Sequence, residues 1–136
     1  MELLDFTAIR GLIADHVVFP TARRLALELT PLYDPDEVVI LQQETNEAME
    51  FLSVVGDIDL KVPDDSFSTI ERASRDGILT GLELVSVSNS VKVLSLLRTK
   101  VRSIRDSVPI LADIADGIPT LDDLRLRITN NIGAHG

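Results

Sequence analysis

A chain of 136 residues is long enough for one domain with a substantial core and short for two. Its composition, 45% hydrophobic and 26% charged, is ordinary for a globular fold, and the absence of cysteine excludes disulfides and thiolate chemistry. The net charge of −9 argues against tight nucleic-acid binding by the whole chain, because phosphate contacts need lysine and arginine. With neither a secretory signal nor an apolar run that could span a membrane in view, we expect a cytoplasmic protein without membrane contact.

The charge is unevenly distributed along the chain. Up to Ser68 there are 4 basic and 14 acidic residues, whereas from Thr69 onward there are 9 basic and 8 acidic. Nearly all the excess negative charge therefore lies in the first half.

Apolar residues at helical spacing predict two helices at the start of the chain. The first runs from Asp5 to about Val18, where the proline at position 20 stops it. The second is short, from Thr21 to about Leu29, and Thr30-Pro31 ends it.

The stretch from Asp34 to Gly56 predicts the most clearly bounded helix. Asp34 suits the N-cap, Pro35 the first helical position and Gly56 a left-handed C-terminal residue. One apolar face recurs at steps of three and four residues, and we expect this seam to face the longest helix of the chain; it comprises Val38, Leu41, Thr45, Ala48, Leu52 and Val55.

After Gly56, residues 57–63 alternate polar and apolar side chains. A single short strand would fit this pattern, but with no second strand nearby to pair with it we predict an extended connector. A short helix from about Phe67 to Arg75 follows, and Asp76-Gly77 ends it.

The capping box Thr80-Gly81-Leu82-Glu83 opens the longest predicted helix, which runs to about Asp106. Its apolar face changes direction halfway, which predicts that different neighbours cover its two halves. A short helix from Ile110 to Asp116 and a last helix starting near Thr120 follow, and the residues from Asn130 onward resemble a turn. The fold prediction is all-α: one domain over residues 1–136, an irregular array of about six helices, two of them long.

The search for chemistry finds no catalytic or metal-binding signature. No glycine-rich phosphate loop is present, and His16 and His135 belong to no metal-binding motif. The acidic run from Asp57 to Asp65 fails the calcium-loop test, because Lys61, Val62 and Ser68 occupy positions that require Asp or Asn, Gly and Glu. We therefore predict no cofactor and no metal site in this chain.

The feature closest to a nucleic-acid site is a stripe of three arginines on the longest predicted helix: Arg98, Arg102 and Arg105. Three guanidinium groups on one face are candidates for contact with phosphates. A solvated face, or a set of partners for the acidic first half of the chain, is the alternative that the missing aromatic neighbours favour.

Five segments of the sequence resemble the bacterial MutS paralogues of the second type: LQQETNEAMEFL, LDFTAIRGLIADHV, ARRLALELTPLYDPDEV, GDIDL and ERASRDGILTGLELVSVSNSV. The resemblance covers essentially all 136 residues and rests on helix-packing patterns in a fixed order. One departure is VFPT at residues 18–21, where relatives more often carry small polar residues and a glycine.

The resemblance implies that this chain is the N-terminal part of a MutS-like helical core. Proteins of that family continue into a lever and clamp, a dimerising P-loop ATPase that uses ATP and Mg²⁺, and often a nuclease domain. They are associated with branched or mismatched DNA, suppression of recombination, endonuclease activity and rescue of collided ribosomes. We therefore expect a structural and coupling segment without activity of its own, whose partners are the rest of its polypeptide and, through other domains, DNA or ribosomes.

Two further expectations follow. Exposed apolar faces predict self-association of the isolated chain. The alternative function is a stand-alone helical module that holds a partner helix.

Overall fold

The structure of the protein is a computed structural model, which describes residues 4–60 and 66–132. The all-α prediction is confirmed: the described residues form seven helices, where about six were expected, and no strand. Residues 57–60 belong to neither a helix nor a strand, as predicted for the connector, and residues 61–63 of the same connector lie outside the described part. The helices are α1 (Leu4–His16), α2 (Pro20–Glu28), α3 (Pro35–Val55), α4 (Ser66–Ser74), α5 (Gly81–Ser103), α6 (Pro109–Asp116) and α7 (Asp122–Ile132).

Both long helices begin with the caps that the sequence predicts. The Asp34 carboxylate accepts a hydrogen bond from the N–H of Asp36 at 2.9 Å. At the start of α5, the Glu83 N–H donates to Thr80 Oγ1 at 3.3 Å, and the Glu83 carboxylate accepts from the Thr80 N–H at 2.8 Å. These bonds pair amide groups that the first turn of a helix leaves without partners.

Gly56 ends α3 with a positive φ, as predicted, but its ψ differs from that of a left-handed helical residue. Its dihedral angles are φ 77° and ψ −172°, a region that is essentially restricted to glycine. The Gly56 N–H donates to the carbonyl of Leu52 at 3.0 Å and closes the last turn. The glycine thus turns the chain directly into the extended connector.

The main core lies where α3, α5 and α6 meet. Its centre is a cluster of buried side chains with Val108 fully enclosed: Phe51, Val101, Val108, Ala112 and Ala115. Six half-buried apolar residues surround it: Val55, Ile58, Leu97, Ile104, Leu111 and Ile118. With Phe51 as the one aromatic residue in the cluster, aliphatic and alanine side chains fill most of this core.

The α1–α2 pair forms a second, smaller packing unit. Ala14 of α1 and Ala26 of α2 are both buried, and their small side chains let the two helices approach closely. Pro20 begins α2 at the predicted break between the helices. Arg10 of α1 donates to the carbonyl of Leu29 at 3.2 Å, which ties the first helix to the end of the second.

The prediction that α5 has different neighbours along its length is confirmed. Its first half packs against α4 and α7, and its second half packs against α6 and the end of α3. Buried Val91 and Ser90 lie near the change. The last helix, α7, continues to Ile132, so the expectation of a turn from Asn130 is wrong up to that residue. Gly133 to Gly136, with His135, lie outside the described residues.

The expectation that the whole apolar seam of α3 faces α5 is wrong for much of its length. Leu41 and Leu52 remain 46% and 52% exposed, whereas Phe51 is the buried residue of this helix. Ala48 is half-buried, and Val55 packs against the core cluster that contains Phe51. The C-terminal end of α3 is thus the part of this helix that reaches the core. The reason is that α3 carries two apolar stripes, and the position of α6 decides which one is covered.

The seven helices form an open array. The accessible surface is 9876 Å², whereas a compact monomer of 14.9 kDa is expected to expose about 7,000 Å². Large apolar side chains are exposed on all seven described helices, including Ile70 on α4 and Ile114 on α6. Among the described helices, none combines the length and the apolar character needed to cross a membrane.

Candidate functional site

A concave groove lies between the α1–α2 pair and α3. Its volume is about 630 Å³, and it is open to solvent along one side. The connector from Leu29 to Leu32 forms its floor, and α1 contributes one aromatic ring to a wall; its apolar lining comprises Phe6, Leu29, Pro31, Leu32, Val38 and Leu41. The exposed half of the predicted α3 seam is therefore one wall of this groove.

Internal hydrogen bonds occupy polar groups around the groove. The Arg10 guanidinium lies 5.8 Å from the centroid of the Phe6 ring and donates to the carbonyl of Leu29. On the opposite wall, Thr45 Oγ1 donates to the carbonyl of Leu41 at 2.9 Å. Arg10 and Thr45 are thus paired within the chain, and Thr30, Gln42 and Asn46 are the further polar residues in the lining of this mainly apolar surface.

The helix that forms the α3 wall is strongly acidic. Between Pro35 and Val55 it carries five carboxylates and no lysine or arginine: Asp36, Glu37, Glu44, Glu47 and Glu50. Glu37 precedes Leu41 by one helical turn, and Glu50 follows Asn46 by one turn, so negative charge borders both sides of the groove face.

Two arginines of the predicted stripe, Arg102 and Arg105, form ion pairs with α6 while remaining partly exposed to solvent. Arg98 and Arg102 lie on α5, whereas Arg105 follows the end of that helix at Ser103, because α5 is shorter than predicted. Arg105 donates to Asp116 and to Asp113, each at 2.9 Å. Arg102 Nε lies 3.4 Å from the Asp116 carboxylate. Two of the three predicted nucleic-acid residues are thus engaged by acidic side chains within the chain. These side chains belong to α6, in the second half of the chain, so the alternative that the stripe pairs with the acidic first half is wrong for Arg102 and Arg105.

Electrostatic interactions hold these groups in their charged forms. The hydrogen bond from Arg105, followed by the charges of Arg105, Arg102 and Arg98, lowers the pKa of Asp116 below its usual value. Bonding to Asp116 and then to Asp113 raises the pKa of Arg105. Arg98 Nε is buried and finds no hydrogen-bond acceptor among the described residues. The stripe and the two aspartates therefore form a charged contact between α5 and α6.

Glu47 is a positioning residue that the sequence analysis did not identify. Its carboxylate accepts a hydrogen bond from the N–H of Leu111 at 2.8 Å, across 64 positions of sequence. The N-cap residue of α6, Val108, has no side-chain acceptor, so Glu47 of α3 supplies the carboxylate in its place. No local motif marks this role, because the partner amide comes from a distant segment.

Arg72 of α4 and Glu83 of α5 form the corresponding contact at the other end of the molecule. The Glu83 carboxylate bonds the Arg72 guanidinium and also accepts from the N–H and the hydroxyl of Thr80. The bond from Arg72, and then those from Thr80, lower the pKa of Glu83 to about 2. The capping box thereby also holds α4 against the start of α5.

A smaller cleft of about 240 Å³ lies between α5 and α7. Two basic side chains, Lys92 and Arg125, border it above an apolar base that includes Val85 and Ile128. Arg125 already has Asp122 one turn earlier at 3.9 Å, at the limit of an ion pair. The cleft is therefore mildly basic, in contrast to the acidic groove.

The remaining sequence-predicted features involve histidine and acidic residues. His16 Nδ1 lies 2.8 Å from the carbonyl oxygen of Leu12, so this side chain makes a local contact within the last turn of α1. Within residues 4–60 and 66–132, no three His, Cys, Asp or Glu side chains are grouped in a way that could hold a metal ion. Lys61, Val62, Asp64 and Asp65 of the tested calcium loop lie outside the described residues.

The fold and these surfaces define an open helical segment with an acidic groove and internal charged contacts. No protein-family profile matches the chain, and no solved structure does. Curated sequences do match: the chain is 27% identical over 139 aligned positions to endonuclease MutS2 of Geobacillus thermodenitrificans, and 27% identical to that of Bacillus cereus strain Q1. It is 28% identical to endonuclease MutS2 of Shouchella clausii.

These alignments cover 99–100% of the chain but 18% of each relative's length. The chain therefore spans about a fifth of the curated proteins that it matches. Over its whole length it is a MutS2-like segment, and the resemblance found in the sequence is confirmed.

Proposed function

We propose that the chain is a structural and coupling segment of a MutS2-like ATPase and endonuclease, with no activity of its own. The observation that carries this proposal is the alignment of the whole chain with 18% of endonuclease MutS2. In this proposal, ATP and Mg²⁺ bind to a P-loop ATPase domain elsewhere in the polypeptide, which also forms the homodimer. DNA or ribosomes bind through other domains.

The open surface supports the same role. An excess of about 2,900 Å² over a compact monomer, together with exposed apolar side chains on all seven described helices, is what a segment removed from its neighbours presents. The charged contacts Arg105–Asp116 and Arg72–Glu83 tie successive helices together at both ends of α5. In this proposal, these contacts hold neighbouring helices together, so that the segment transmits movement between domains.

The reading frame of the gene tests this proposal most directly. We expect codons for a P-loop ATPase downstream of those for this chain. Purified residues 1–136 should hydrolyse ATP and cleave branched DNA no faster than a buffer blank. Hydrolysis or cleavage that copurifies with the chain through two separate purification routes would overturn the proposal.

The second candidate is a stand-alone helical module, which the open groove beside α3 favours. The reading frame separates the two candidates. A stop codon directly after the codon for Gly136 supports the module, and a continuing frame with a P-loop supports the coupling segment.

A further inference from the structure

We propose that the groove between the α1–α2 pair and α3 is the docking site for an amphipathic helix whose apolar stripe is bordered by lysine or arginine. The inference rests on the proposed role of the chain as a segment that holds other helices. It adds the location of the contact and the chemistry of the partner.

The shape and lining of the groove fit a helix better than a small ligand. The groove is open along one side, whereas small-molecule sites enclose most of their ligand. Its apolar face continues along α3 from Leu41 to Met49 and Leu52, which are 46%, 65% and 52% exposed. From Val38 to Leu52 this face is about 21 Å long, or about four helical turns. It matches the apolar stripe of a helix of ordinary length.

The state of the polar groups argues against an extended peptide. An extended chain needs unpaired backbone donors and acceptors on its partner, as at the edge of a sheet. Here helices and a connector form the walls, and the Leu29 and Leu41 carbonyls already accept side-chain hydrogen bonds. A helix pairs its own backbone groups, so apolar side chains are sufficient for it to bind.

Charge defines the partner further. The α3 wall has five carboxylates and no cation. The three arginines before Lys61 already have acceptors nearby: Arg10 on the Leu29 carbonyl, Arg23 on Asp15, and Arg24 beside Glu28. Arg10 keeps its positive charge beside the Phe6 ring, because its acceptor is a neutral carbonyl. The acidic border of the groove is therefore its α3 wall, and a basic helix is complementary to that wall.

A second copy of the chain fits this surface poorly. Pairing the same face of two copies would bring two strongly acidic α3 helices together, and each chain carries a net charge of −9. Like charges facing each other across an interface oppose association. We therefore assign the groove to a helix from a different segment or protein.

The test uses the 136-residue chain and two fluorescein-labelled peptides of about 18 residues, each designed as one amphipathic helix. Both have leucine on one face; one has lysine beside the leucines and the other has glutamate. By fluorescence anisotropy, we expect the lysine peptide to bind at least about tenfold more tightly, with an affinity that falls as salt increases. Equal affinities for the two peptides would overturn the proposal.

Two pairs of variants locate the binding. Leu41→Glu should weaken binding of the lysine peptide by at least about tenfold. Leu82→Glu, which changes a leucine that is 72% exposed on α5, should leave it unchanged. Glu37→Lys, at an exposed position, should weaken binding of the lysine peptide and strengthen binding of the glutamate peptide. Asp106→Lys, also at an exposed position, should change the binding of neither peptide. Far-UV circular dichroism verifies that each variant folds. If the Leu41 variant unfolds, the effect of Glu37→Lys on the two peptides tests whether they bind in the groove.

Two other outcomes count against the proposal. One is that Leu41→Glu and Leu82→Glu have the same effect on the lysine peptide. The other is that the chain forms a dimer, that Leu41→Glu converts this dimer to a monomer, and that neither peptide competes with dimer formation. That result would assign the groove to a second copy of the chain. Lack of peptide binding together with a MutS2-like reading frame would refute this inference alone. Peptide binding together with a stop codon after Gly136 would refute only the proposed function.

Discussion

The Glu47 carboxylate lies 2.8 Å from the amide nitrogen of Leu111 and caps a helix to which it does not belong. This contact joins α3 to the first turn of α6, directly beside the fully buried Val108. Helix α6 has only eight residues, so it depends on its surroundings for stability. Glu47 therefore fixes where α6 starts, and with it the position of the aspartates that meet the α5 arginines.

Replacement of Glu47 by alanine should destabilise the chain by about 1–2 kcal/mol, as loss of an N-cap acceptor does. Glu47→Gln should cost less, because the amide oxygen still accepts the bond and only the interaction with the helix dipole is lost. Urea unfolding followed by circular dichroism measures both variants, and Glu50→Ala, at an exposed position on the same helix, is the control. Equal effects of the Glu47 and Glu50 replacements would contradict the capping role.

Gly56 should tolerate no side chain. Its φ of 77° with ψ of −172° is strained for every L residue, so Gly56→Ala should cost about 1–3 kcal/mol. Gly11→Ala is the matched control: Gly11 lies inside α1, where a methyl group would meet open space, and alanine there should stabilise by about 0.5–1 kcal/mol. Opposite signs of the two changes in urea unfolding are the expected result.

Local features of the fold were predictable from the sequence because short-range chemistry determines them. The cap at Asp34, the capping box at Thr80 and Glu83 and the end of α3 at Gly56 each depend on residues within one turn. Most helix bounds agree with the predicted ones to within about two residues, the usual uncertainty of such ends, whereas α5 ends at Ser103, three residues before the predicted Asp106.

Long-range features were not predictable in the same way. Two stripes of α3 are apolar, and the choice of Phe51 over Leu41 for the core depends on where α6 lies. The same placement turns Glu47 from an apparent surface residue into a cap, and gives the arginine stripe its aspartate partners. The groove likewise needs three helices and a connector in three dimensions, so no pattern within one helix indicates it.

Acid should loosen the contact between α4 and α5. The pKa of Glu83 is about 2 in the folded chain, below its ordinary value of 4.5, because Arg72 and Thr80 bond its charged form. A carboxylate whose pKa is lower in the folded chain than in the unfolded chain stabilises the fold fully at pH values above its unfolded pKa. This stabilisation is lost as the pH falls through the folded pKa. The melting temperature should therefore fall between about pH 4.5 and 2.

The Glu83→Gln variant isolates this contribution. It should melt at a lower temperature than the parent at pH 7 and show a shallower fall in melting temperature between about pH 4.5 and 2. Glu50→Gln, which changes an exposed carboxylate without these bonds, should keep the pH dependence of the parent. Parallel curves for the parent and Glu83→Gln would show that another group is responsible.

DNA binding by the arginine stripe should be weak, because Arg102 and Arg105 are engaged by Asp113 and Asp116. The double variant Asp113→Asn with Asp116→Asn releases both guanidinium groups. It should strengthen salt-sensitive binding to a four-way DNA junction in anisotropy titrations at low salt. Asp36→Asn with Glu37→Gln makes the same change in net charge on α3 and should have a smaller effect. Equal effects of the two pairs would mean that total charge, not the stripe, governs the affinity.

Self-association of the isolated chain should increase with salt. Exposed apolar side chains on several helices attract one copy to another, while a net charge of −9 on each copy opposes the contact. Raising the salt from about 0.05 to 0.5 M shortens the screening length to a few ångströms and removes most of that repulsion. Sedimentation velocity should therefore show a weight-average mass that rises with the salt concentration. The affinity of the groove for a basic helix is expected to change in the opposite direction and to fall as salt increases. Because the apolar contacts are spread over many residues, Leu82→Glu should weaken association only in part, and a monomer at every salt concentration would refute the prediction.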